Sequence, residues 1–134
     1  MAGVTDLEQL LRSMEPTALD DEYVFVGVSD DRARELAYSA MVREDEGTSL
    51  VMRRHDADSA GLPYDFVAAW ITLTVHSDLE AVGLTAAFAT ALGERGISCN
   101  VIAGLHHDHL LVPVDRKHDA LDALRGLGNH GPDR

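Results

Sequence analysis

Residues His106-His107-Asp108-His109 put four groups able to bind a metal or move a proton into four consecutive positions. On an extended strand His107 and His109 point to one side, and His106 and Asp108 to the other. Such a pair of imidazoles suits zinc or nickel, with Asp108 adding an oxygen. A third ligand would have to come from a distance, from His55, His76 or His118. The competing reading is a polar turn whose imidazoles bond backbone carbonyls. No metal or other cofactor is expected, and His107, Asp108 and His109 stand as the alternative metal set.

A second constellation is His76-Ser77-Asp78-Leu79, followed by Val82 and Gly83. It reads as a strand-to-helix junction. The first amides of a helix lack intrahelical partners and carry partial positive charge, which suits a carboxylate. Gly83 has no side chain, so a ligand or a neighbouring backbone can come close. Asp78 offers a partner for an ammonium group, although Asp78 and Glu80 also offset the helix dipole. Asn100 is a polar amide in the mostly apolar run Cys99-Asn100-Val101-Ile102 and needs a partner if buried. The candidate ligand site is therefore His76, Ser77, Asp78, Leu79, Val82 and Gly83, with Asn100, Val101 and Ile102 beside it. The plainer alternative is a capped helix with Gly83 at a packing contact.

These residues need elements to hold them. Residues 70–76 alternate Ile71, Leu73 and Val75 with Thr72, Thr74 and His76, the period of a half-buried strand. Ser77 and Glu80 are spaced as a capping box. An apolar helix is expected from Leu79 to Arg95, ended by Gly96. It carries one stripe at Ala81, Leu84, Phe88, Ala91 and Leu92, and a second at Leu79, Val82, Ala86 and Ala89. One stripe covers a sheet, and the second predicts contact with another domain or subunit. Ile97–Ala103 and Leu110–Val114 read as strands, with Pro113 suited to a strand end. A last helix is expected over His118–Gly126, and 128–134 read as a disordered tail.

Upstream, residues 4–13 predict a short amphipathic helix on Leu7, Leu10 and Leu11. Pro16 stops it, leaving 14–21 as a connector or irregular strand. Tyr23–Val28 predicts a strand with Tyr23 and Phe25 on one face and Val24 and Val26 on the other. A turn of helix follows at Arg32–Leu36. Tyr38–Arg43 and Thr48–Arg53 read as a hairpin around Glu44-Asp45-Glu46-Gly47, with Gly47 able to take positive φ. Its acidic residues match no calcium loop and read as a solvated turn. Asp56–Gly61 is a short helix. Pro63 pushes Leu62 toward extended geometry, which places a boundary there: residues 1–63 and 64–134.

The 134 residues suffice for a packed core without staples. The single cysteine, Cys99, excludes an intrachain disulfide and is expected to be a buried thiol. Twenty-three acidic against eleven basic side chains give a net charge of −12, which argues against nucleic-acid and anionic-membrane partners. No apolar run has membrane-spanning length and no leader is evident, so a cytoplasmic protein is expected. Glycine-rich phosphate loops, Gly-x-Ser-x-Gly and His-Glu-x-x-His are absent, so no catalysis is expected.

The phrases Trp70–Ser77, Glu80–Ala87, Gly96–Gly104 and His106–Val114 resemble small bacterial proteins built from two ACT-type domains. Met14–Thr17, Tyr23–Phe25 and Met41–Gly47 continue the likeness, which runs from about Leu10 to about Leu127. The resemblance implies an α+β fold of two ferredoxin-like βαββαβ halves, with antiparallel sheets and helices on one face. The first half is abbreviated, and no strand after Leu127 is evident to complete the second. That strand is missing, supplied by another segment, or formed by the tail. The resemblance also implies a regulatory module that binds a small molecule, an amino acid being expected, at the loop of residues 76–83. A homodimer is expected. The rival readings are a histidine-dependent metal protein or enzyme using residues 106–109, and a purely structural or partner-binding dimer.

Overall fold

The computed structural model describes residues 7–74 and 83–128. Helix α1 (Leu7–Ser13) leads into β1 (Pro16–Val28), α2 (Asp30–Ala33), β2 (Ala40–Glu44), β3 (Gly47–Arg53) and α3 (Arg54–Ser59). Then come β4 (Val67–Leu73), α4 (Leu84–Glu94), β5 (Asn100–Ala103), β6 (Asp108–Pro113), a 3-10 turn at Val114–Arg116, and α5 (Lys117–Gly128). The strands form one antiparallel sheet in the order β2-β3-β1-β4-β6-β5.

That order settles the origin of the strand with no evident sequence after Leu127. The first ferredoxin-like half is β1-α2-β2-β3-α3-β4, with sheet order β4-β1-β3-β2. The second is β4-α4-β5-β6-α5, and the strand beside β4 in its sheet is β1. β1 and β4 thus each serve both halves. Of the stretch 14–21, expected as a connector or irregular strand, residues 16–21 are the irregular first part of β1. Pro16, Thr17 and Ala18 pair with Leu73, Thr72 and Ile71. Backbone donors and acceptors of β4 on that side would otherwise be unmet, which is why a polar stretch with a proline is held as strand. The first half is abbreviated in its helices, of 4 and 6 residues against 11 and 12 in the second.

All helices cover one sheet face. α1, α4 and α5 pack Leu10, Leu11, Phe88, Leu92, Leu121 and Leu124 against Ala69, Ile71, Leu73, Leu110 and Val112. α2 and α3 set Ala33 and Ala57 on Val24, Val26, Leu50 and Met52. The opposite face carries Tyr23, Val51, Ala68, Trp70 and Leu111 with Phe66 and Ile102 against them. Tyr23 and Phe25 do lie opposite Val24 and Val26, as the alternation predicts.

Several boundaries differ from expectation for local reasons. A helix running unbroken from Leu79 to Arg95 is overturned. Gly83 has φ 99°, in the left-handed region, and caps a helix that starts at Leu84. A right-handed helix cannot pass through that conformation. Residues 75–82, with Ser77 and Glu80, lie outside the described residues. At the other end Gly96 (φ 70°) donates its N–H to the Gly93 carbonyl, and Ile97 donates to Leu92, each at 3.0 Å. This Schellman closure uses Ile97 as the buried hydrophobic partner of the cap, so β5 begins at Asn100 rather than Ile97. β4 begins at Val67, three residues before the expected start, because β1 and β6 flank it on both edges. Its alternation is therefore apolar on both faces up to Thr72. Gly47 does take positive φ, at 143°, behind the two-residue turn Asp45-Glu46.

Candidate functional site

Of the nine expected ligand residues, His76, Ser77, Asp78, Leu79 and Val82 lie outside the described residues. Gly83 is half-buried at the start of α4. A Cβ there would stand 3.0 Å from Leu7 Cδ2, so α1 already occupies the close approach that the glycine permits. Asn100 is exposed on edge strand β5 and needs no buried partner. It pairs with Leu111, whereas Ala103 and Asp108 are the residues in register with Leu73 at the end of β4. Asn100 thus sits three residues along the sheet from that end, about 10 Å at strand rise. Ile102 joins the helix-free face, while Val101 pairs with Leu110 on the helix side.

The histidine run straddles a turn and a strand start. Gly104 N–H donates to the His107 carbonyl at 2.9 Å, closing the turn, and β6 begins at Asp108. A Cβ on Gly104 would lie 2.9 Å from the His107 oxygen and 3.1 Å from His109 Nε2. His109 points onto the helix-free face, its ring 5.3 Å from that of Trp70, which in turn stacks tilted on Tyr23 at 5.1 Å. Trp70 Nε1–H donates to Thr72 Oγ1 at 3.1 Å, and Thr72 Oγ1 lies 3.0 Å from His109 Nδ1. An indole can only donate, so Thr72 Oγ1 accepts from Trp70 and keeps one lone pair and its own proton for the contact with His109 Nδ1. Burial, then the charge of His107, pulls the His109 pKa below its ordinary value. The ring is thus biased toward its neutral form within a packed aromatic network. His55 and His118 lie on α3 and α5, and among the described residues no group of three or more His, Cys, Asp or Glu converges on a metal position.

Asp108 is raised above the ordinary carboxylate range by burial, against the opposing pull of His109 and His107. Its charge is therefore a cost to the fold at neutral pH. A group with a raised folded pKa contributes stability below its unfolded pKa, and that contribution is lost as pH rises through the folded value. Asp108→Asn is expected to melt higher than the parent at pH 7 and to hold no advantage below pH 3.8, the ordinary pKa of an aspartate. Calorimetry across that window checks it, and a lower melting point at pH 7 would show that the carboxylate is needed where it stands. Burial also raises the Cys99 thiol, which packs half-buried against the helix-side core.

A cleft that sequence reasoning passed over lies in the first half. The turn from β1 into α2 and the β2–β3 hairpin enclose about 490 Å³, lined by Gly27, Val28, Ser29, Glu44, Glu46, Gly47, Thr48 and Ser49. Ser29 caps α2, its hydroxyl accepting from Arg32 N–H at 3.1 Å. Thr48 donates to Asp30, and Ser49 to Glu44. Thr48 is buried, which fixes this polar edge to the β3 backbone. The hairpin read as a solvated charged turn is one wall of the cleft. A signal was present: Ser29-Asp30 after a strand repeats Ser77-Asp78 after a strand. The two strand-to-helix junctions occupy equivalent places in the two halves.

An ACT domain model matches residues 2–69 and a second ACT domain model matches residues 66–126. No curated protein matches the chain. The crystal structure of a Vibrio cholerae protein of unknown function, described as a possible transport protein, is 46% identical over 96% of this chain and 100% of that one, with a TM-score of 0.84. An Agrobacterium tumefaciens protein is 20% identical over 86% of this chain and 89% of that one, with a TM-score of 0.62. The ligand-free regulatory subunit of aspartate kinase from Thermus thermophilus shares the fold at 11% identity, over 87% of this chain and 98% of that one, with a TM-score of 0.64. No helix among the described residues is long and apolar enough to cross a membrane. With one match on each half, both completed by the shared strands β1 and β4, the chain belongs to the ACT domain family as a tandem of two such domains.

Proposed function

We propose that this protein is a non-catalytic regulatory module of the cytoplasm that binds a small molecule, an amino acid by preference, at its strand-to-helix junctions. The observation that carries the reading is the cleft of about 490 Å³ between the β1–α2 turn and the β2–β3 hairpin. Glu44 and Glu46 suit an ammonium group, and the hydroxyl of Ser29 together with backbone amides suits a carboxylate. The equivalent junction of the second half, residues 76–83, is the other proposed contact. Residues 100–102, on edge strand β5, are the further proposed contact, at an interface in a homodimer. The boundary between the halves is placed at 63/64.

The test is a thermal-shift screen of the purified protein against the common amino acids, nucleotides and divalent metals. A ligand at 100 times its dissociation constant adds about 2.7 kcal/mol, a rise of several degrees at this size. The expected result is a shift with one amino-acid class, abolished by the paired substitution Glu44→Gln and Glu46→Gln. A shift with no amino acid would remove the reading. A shift with divalent metal alone, lost in His107→Ala with His109→Ala, would replace it with the metal alternative.

A further inference from the structure

Strand β1 leaves register with β4 halfway along. Ala18 pairs with Ile71 and Glu22 with Ala69, so Leu19, Asp20 and Asp21 stand where β4 has Trp70 alone. A bulge of this kind bends a strand and re-aims its side chains, and bulges concentrate near sites. Here it opens a cleft of about 500 Å³ toward the β3–α3 junction, distinct from the one above.

The junction presents Arg53, Arg54 and His55 to the cleft. Arg54 is held on two sides: Nε donates to Tyr64 Oη at 2.7 Å and Nη1 donates to Glu22 at 2.9 Å. The tyrosine hydroxyl in turn donates to Asp58 at 2.8 Å, and the Tyr64 ring lies 5.5 Å from the guanidinium carbon. Arg53 Nε donates to Asp56 at 3.1 Å, with Nη1 3.6 Å from Asp21. These contacts satisfy Glu22, Asp21 and Asp58 but not the whole array. A guanidinium has five N–H donors, and Arg54 spends two of them. The side chains of Asp20 and His55 line the cleft with no hydrogen bond or ion pair to another described residue.

Stability does not account for the arrangement. The side chains of Arg54 and Glu22 are each 44% exposed, and ion pairs so exposed contribute little to folding. What the array provides is orientation: a guanidinium fork fixed by neighbours, beside a free carboxylate. Fixing the recognition group in advance spares a ligand that ordering cost.

We infer that the β1 bulge and the β3–α3 junction form a second ligand site, for a small zwitterion. Its carboxylate is taken by the unspent donors of Arg54 with His55, and its ammonium group by Asp20. The inference extends the proposed function to a further site and shares no residue with the cleft of the β1–α2 turn.

The test is amide chemical-shift mapping of the ¹⁵N-labelled protein, titrated with each common amino acid, and with sodium acetate and ethylammonium chloride at matched ionic strength. At least one amino acid is expected to shift the amides of residues 20–22 and 53–58, and neither single ion to reproduce the shifts. Arg54→Lys and Asp20→Asn should each weaken that binding about tenfold or more, since each removes a charge-assisted contact. Glu44→Gln with Glu46→Gln should leave it unchanged. Shifts confined to residues 27–29 and 44–49 would overturn the second site and leave the proposed function standing. Equal shifts with acetate would overturn the zwitterion class. No response of residues 20–22 and 53–58 to any amino acid would overturn the inference outright.

Discussion

Expressed alone, residues 64–134 are expected not to fold. The fragment would contain β4, β5 and β6 but would lack β1, which flanks β4 along its other edge. It would also lack α1, whose Leu10 and Leu11, with Met14 just after it, are buried in the same core as Phe88 and Leu124. The fragment would then expose a bare central strand and one side of its core. Unpaired strand edges of this kind template aggregation rather than stand in water. Circular dichroism and proton NMR of the fragment should show an unfolded or aggregated chain, whereas the whole protein should unfold in one cooperative transition. A soluble fragment with dispersed amide resonances would mean that β1 is dispensable to the second half. Two separate transitions in the whole chain would mean that the halves, though sharing strands, do not share stability.

The second large effect is expected from Phe88→Ala. Phe88 lies on the inner face of α4, is fully buried, and belongs to the cluster of Leu84, Leu92, Ile71 and Leu110. Removing a buried aromatic ring loses its transfer free energy and leaves a cavity, together about 3–5 kcal/mol. At this size that lowers the melting temperature by about 10–20 °C. Ala89, the next residue, is exposed on the outer face, and Ala89→Gln should change stability by no more than about 0.5 kcal/mol. Denaturant unfolding of the two variants checks both values. A small loss at Phe88 would mean that α4 can settle onto the sheet and refill the space. A large loss at Ala89 would support the expectation that the outer face of this helix meets a partner, since Ala86 and Ala89 carry the part of the second apolar stripe that the structure describes.

Much of this architecture could be read without coordinates, because it is set by local chemistry. The period of two in Tyr23–Val26 assigns those side chains to opposite faces, and the sheet keeps them there. Gly96 ends its helix in a left-handed cap, and Gly47 closes its hairpin, since each conformation is one that glycine adopts without strain. The phrases at 70–77 and 96–114 carried the family, and two ACT domain models match the chain.

What the chain alone could not show depends on partners distant in sequence. Pro16–Ala18 carries no strand pattern of its own. It is strand because β4 has an open edge there, and that edge exists only once β4 is placed between the two halves. Gly83 looked like a helix residue because glycine carries no sign of its backbone conformation. Its backbone is left-handed, and Leu7 of α1 lies 3.0 Å from where a Cβ would stand. His109 looked like half of a metal pair. Folding instead brings it to Thr72 and Trp70, 37 and 39 residues away in the chain, where burial, then the charge of His107, favours the neutral ring. The two clefts follow the same rule. Each joins a turn or bulge of β1 to a segment at least fifteen residues further along. Spacing along a chain reports which residues share a face of one element, whereas a cleft is made of residues that only strand pairing brings together.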